Sequence, residues 1–77
     1  MPPTKLTEDE RLYRNFWGNV EKRRVLYGVT LPELAISARV SQATIYNRKR
    51  HPETLTLKEM QAIAKRLHTS VVDLLQD

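Results

Sequence analysis

Seventy-seven residues with 40% hydrophobic side chains suffice for one modest core, and the apolar pocket of roughly 300–1,000 Å³ that small-molecule enzymes use would consume much of it. The absence of cysteine excludes disulfides and thiolate metal sites, and no apolar run approaches the roughly 18–20 residues that span a bilayer. A net charge of +4 points to a polyanionic partner.

The chain starts with a polar stretch that lacks the apolar core of a signal peptide, so residues 1–6 read as a flexible tail, residues 7–77 as the domain, and the cytoplasm as its location. Thr7 followed by Glu10 has the spacing of a capping box, in which a hydroxyl and a carboxylate each satisfy a backbone N–H left free at a helix start. It predicts a first helix over residues 8–27, closed by Gly28 and carrying Tyr13, Phe16 and Trp17 above Val20 as a ring cluster for the core. Thr30 and Glu33 repeat the box before a second helix over 31–38, where Pro32 is tolerated because first-turn N–H groups have no helical partner. Ser41 caps a third helix over 42–49, with Pro52 beyond its end. Thr56 and Glu59 open a fourth over 57–67, whose Leu57, Met60, Ile63, Ala64 and Leu67 share one face. Ser70 and Asp73 open a short fifth over 71–76, with Leu74 directed to the core and Val72 the better candidate for an interface between copies. No segment alternates apolar and polar residues, so no sheet is expected.

The positive charge is concentrated. Between residues 22 and 51 stand Lys22, Arg23, Arg24, Arg39, Arg48, Lys49 and Arg50 against Glu33 alone, whereas each flank is slightly acidic. In the same region only Arg39, Val40 and Ser41 separate the second and third helices, a turn short enough to force a steep crossing. Ala35 and Ala38 are small where the backbones approach, and Val40 and Ile45 fill the gap. Such packing pushes the third helix outward, toward a major groove about 12 Å wide.

The run Gly28-Val29-Thr30-Leu31-Pro32-Glu33-Leu34-Ala35, then Val40-Ser41-Gln42-Ala43-Thr44-Ile45-Tyr46, the later Ala62-Ile63-Ala64-Lys65-Arg66-Leu67 and Val71-Val72-Asp73-Leu74-Leu75 resembles the lambda-repressor-like (Cro/repressor, XRE) helix-turn-helix family over about residues 20–75. The resemblance implies an all-α fold, a compact five-helix DNA-binding domain. It also implies a transcriptional regulator, of the repressor kind common in phage and bacteria, that binds a two-fold double-stranded operator as a homodimer without a cofactor. The family's base-reading positions correspond to Gln42, Ala43, Tyr46 and Asn47, with Arg50 just beyond. Gln and Asn match adenine, Arg matches guanine, and Ala43 or the Tyr46 ring suits a thymine methyl. Phosphate contacts are expected from Thr30, Ser41 and Thr44 at helix starts and from Arg48, Lys49, Arg50 and His51.

The chain departs from the family pattern in three places. Arg39 stands where a turn glycine is usual, and Leu31 replaces a glutamine that supports a phosphate contact. Arg48 and Lys49 replace an apolar residue and a glutamate that pairs with an arginine of the first helix, so Arg24 loses that partner and internal support is exchanged for charge toward DNA. Neither catalysis nor a metal is indicated: His51 and His68 lack acidic neighbours at ligand spacing, and two glycines form no phosphate loop. The competing reading is an antitoxin-like or other protein-interaction module in which a protein partner is primary and DNA binding secondary.

Overall fold

A computed structural model describes residues 7–77; the expected tail, residues 1–6, lies outside the described residues. Five α-helices and one 3-10 turn follow in order: α1 Glu8–Tyr27, α2 Leu31–Ala38, α3 Gln42–Arg50, the 3-10 turn Pro52–Thr54, α4 Leu57–Arg66 and α5 Val71–Leu74, with no strand among the described residues.

Every α-helix begins on a hydroxyl cap. The boxes at α1 and α4 are complete: Thr7 Oγ1 accepts from the Glu10 N–H at 3.1 Å while Glu10 accepts from the Thr7 N–H, and Thr56 and Glu59 do the same. At α2 only half of the expected box forms. Thr30 accepts from the Glu33 N–H at 3.2 Å, but the Glu33 carboxylate accepts from the Thr30 hydroxyl at 3.1 Å and reaches Arg66 of α4 at 2.9 Å. A charge-assisted bond to another helix thus takes the place of the local return.

Three helix ends close in the same way, with paired backbone bonds around one left-handed residue. After α1 the residue is Gly28 (φ 67°), with Val29 N–H donating to Arg24 O at 2.8 Å. After α2 it is Arg39 (φ 58°, ψ 44°), with Val40 N–H donating to Ala35 O at 3.0 Å; after α4 it is His68 (φ 57°), with Thr69 N–H donating to Ala64 O at 2.9 Å. A side chain in this region costs roughly 1–2 kcal/mol, so Arg39 bears strain where the resembled family spends a glycine.

One hydrophobic cluster draws on every α-helix: Phe16, Trp17 and Val20 of α1, Leu31, Leu34 and Ala35 of α2, Ile45 of α3, Ile63 and Ala64 of α4 and Leu74 of α5, with Val29, Leu55 and Leu67 from the connections. Phe16 and Trp17 meet edge to face at 5.6 Å, while Tyr13 is only half-buried and Leu57, expected on the inner stripe, is 63% exposed. Leu57 is the first residue of α4 and lies beyond the layer filled by Met60 and Ile63. The 3-10 turn, which the sequence reading did not anticipate, places Leu55 in the core.

α1 also acts as a spine that satisfies other helix ends. Arg23 donates to Leu67 O at 3.2 Å, Asn19 to Leu74 O and Gln76 O at 2.8 Å each, and Asn15 to Leu75 O at 3.2 Å. These bonds take up carbonyls that a C-terminus leaves free, which stabilises an α5 shorter than the expected 71–76.

Candidate nucleic-acid interface

α3 is polar on nearly all sides. Its nine residues contribute one fully buried side chain, Ile45, and its neighbours Thr44 and Arg48 are half-buried. Gln42, Ala43, Tyr46, Asn47 and Arg50 are all exposed, Tyr46 at 44%. At 3.6 residues per turn, positions 43, 46, 47 and 50 lie three or four apart and form one outward row. No hydrogen bond among the described residues engages the side chains of Gln42, Asn47 or Arg50, so their donors and acceptors remain available to a ligand.

The expected phosphate group divides. The hydroxyls of Thr30, Ser41 and Thr44 are spent on the protein itself: Thr30 caps α2, Ser41 Oγ accepts from the Thr44 N–H at 3.1 Å, and the Ser41 and Thr44 hydroxyls bond each other at 2.9 Å. The Thr44 N–H is thereby taken as well, and what remains for an anion is the backbone N–H of first-turn neighbours such as Gln42 and Ala43. His51 Nδ1 lies 3.7 Å from Glu53, and Arg39, which was not among the expected contacts, stands exposed in the turn leading into α3.

Arg48 and Lys49 differ from the expectation in a further respect. Arg48 Nε lies 3.2 Å from Glu59 Oε1 of α4, and Lys49 Nζ lies 3.1 Å from Glu21 Oε1 of α1. The Lys49 approach is too oblique for a well-formed hydrogen bond and acts as an ion pair. Glu21 Oε2 meanwhile accepts from Arg24 at 2.8 Å, so Arg24 keeps an acidic partner, one turn back on its own helix. Arg24 thus has no partner on α3, as expected, but the expectation that internal support is exchanged for charge toward DNA is corrected: α1 provides the carboxylate and α3 the cation. The i,i+3 spacing of Glu21 and Arg24 was the available signal.

These contacts hold the carboxylates ionised. The hydrogen bond from Arg24, aided by Lys49, outweighs burial and pulls the Glu21 carboxyl below its ordinary value. Burial pushes Glu59 up, but bonds from the Thr56 backbone and from Arg48 overcome it and bring it below its ordinary value. The Arg24 guanidinium is correspondingly raised by its bond to Glu21.

Other surfaces offer less chemistry. A hollow of about 570 Å³ is lined by Asp9, Glu10, Tyr13, Arg14, Pro52 and Glu53, none of them in α3. Among the described residues no group of three or more His, Asp or Glu could hold a metal ion, and no helix is long and apolar enough to cross a membrane. No family model, curated protein or solved structure matches the chain.

Proposed function

We propose that the chain is a sequence-specific DNA-binding regulator of transcription, a repressor of the lambda-repressor-like helix-turn-helix kind, that inserts α3 into the major groove and reads a two-fold operator as a homodimer. The observation that carries this reading is the outward row on α3. Ala43, Tyr46, Asn47 and Arg50, with Gln42 beside them, are exposed, the Gln42 and Asn47 amides have no internal partner, and the row sits in the one strongly basic stretch of the chain. Gln and Asn side chains match the adenine edge and Arg50 the guanine edge, each bidentate contact being worth roughly 1–3 kcal/mol of discrimination. Arg39 and the backbone N–H groups at the starts of α2 and α3 supply phosphate contacts that fix register.

Selection from a randomised duplex pool at two salt concentrations tests the proposal. Enriched two-fold sites with half-sites about one helical turn apart support it, and a pool that stays random overturns it.

One observation favours a second reading, a protein-interaction module of the antitoxin kind. Val25, Leu26 and Tyr27 form an exposed apolar run at the end of α1, with Leu26 at 74% exposure. On that reading binding is salt-insensitive and α3 substitutions leave it unchanged.

A further inference from the structure

A nine-residue helix that buries one side chain is poorly fixed by packing. Ile45 sets how deep α3 sits against α2, but no second side chain of α3 is fully buried to resist a roll about it, and a small roll redirects every side chain of the outward row. The ion pairs address this freedom. Arg48 and Lys49 are consecutive and so point about 100° apart around the helix, one to Glu59 of α4 and the other to Glu21 of α1. α3 is braced from two sides at its C-terminal half.

The brace on the α1 side is itself held. Arg24 grips Glu21 at 2.8 Å, and the same guanidinium donates to Val29 O at 3.2 Å, the backbone just ahead of the α2 cap. A continuous relay therefore runs from the entry of α2 through Arg24 and Glu21 to Lys49. We infer that Glu21 is a positioning residue for DNA reading, and that Lys49 acts as a strut that sets the angle of α3 and does not act as a phosphate contact. The inference rests on the proposed function and sharpens it, because it makes the aim of the base-reading row depend on a residue of α1 that touches no base.

A double-substitution series tests it. Glu21→Gln, Lys49→Met and the double variant are titrated against the selected operator and against random duplex, and the ratio of the two affinities is the readout. Loss of either partner is expected to lower that ratio about tenfold, comparable to losing one bidentate base contact, and the double variant is expected to lose no more than either single one. Glu21→Gln is further expected to tighten random binding and steepen its salt dependence by about one unit, since Lys49 is released toward phosphate. The inference is overturned if the ratio is unchanged in both single variants, or if their losses multiply in the double. It is equally overturned if Lys49→Met flattens the salt slope by one unit while leaving the ratio intact.

A measurement on the unaltered chain without DNA protects the test from variants that fold poorly. The Lys49 ammonium group, followed by nitrogen relaxation, should be more ordered than that of exposed Lys22. Equal mobility of the two overturns the strut. If the chain selects no sequence at all, the DNA-reading proposal fails, while the ammonium measurement still decides whether the brace exists.

Discussion

Arg39→Gly isolates a cost that the fold accepts in its most sensitive turn. The residue sits at φ 58° and ψ 44°, where a β-carbon crowds the following carbonyl, and the two backbone bonds that close α2 depend on that conformation. Relief of the left-handed penalty is worth roughly 1–2 kcal/mol, and the extra freedom that glycine has in the unfolded chain takes back about 0.5–1 kcal/mol. The net expectation is a gain of about 0.5–1 kcal/mol, which for a domain of this size is a rise of some 2–8 °C in Tm. Arg39→Ala is the matched control, since it removes the same exposed charge but retains the β-carbon. Thermal and urea unfolding of the three proteins, followed by circular dichroism, should rank glycine above both arginine and alanine, with arginine and alanine close together. If the glycine variant is less stable than the alanine variant, the turn does not carry the strain argued above. The same pair separates stability from binding: both variants should lose about one unit of salt slope on DNA if the Arg39 guanidinium meets a phosphate.

Ile45→Ala should cost about 2–4 kcal/mol in urea unfolding, because its side chain is fully enclosed and is the sole core contribution of α3; a loss below about 1 kcal/mol would mean that the site collapses freely. Asn47→Ala should relax preference at one base position of the selected site by roughly 1–3 kcal/mol, as read by competition titration, and Arg50→Gln should relax it at a guanine; equal weakening of operator and random duplex by Arg50→Gln would remove Arg50 from the base readers. Glu21 and Glu59 both lie below their ordinary values in the folded chain, so the stability they contribute is complete above the usual glutamate range and is lost as pH falls through their folded values. Urea unfolding from about pH 7 down to about pH 3 should therefore show stability declining in acid, with a shallower decline in a Glu21→Gln/Glu59→Gln variant.

Much of the architecture is legible in short-range chemistry. Thr7, Thr30, Ser41, Thr56 and Ser70 each start a helix because a hydroxyl serves N–H groups only two or three residues away, and this information is wholly local. The exposure of the α3 row was legible too, since Ile45 is the one large aliphatic side chain in that helix. What escaped the sequence reading depends on partners distant along the chain. Glu33 leaves its box for Arg66, Arg48 finds Glu59 and Lys49 finds Glu21, pairings set by how helices cross. The end of α5 escaped for the same reason, because the side chains that complete it belong to α1, more than fifty positions earlier. Leu57 was misplaced because helical periodicity identifies a face but not where the neighbouring layer stops.

The contacts of Asp77 have a consequence for engineering. Its carboxylate is held by Arg11 at 2.9 Å and by Asn15 at 2.6 Å, which places residue 77 beside the first two turns of α1, roughly 6–12 Å along the helix from Thr7. A short linker joining these two positions would close the chain into a ring, and new ends opened elsewhere, for instance between Thr54 and Leu55, would give a permuted protein with its helix crossings unchanged. In such a variant α1 and α5 would become neighbours in sequence as they already are in space, so a contact that now spans more than fifty positions would become local.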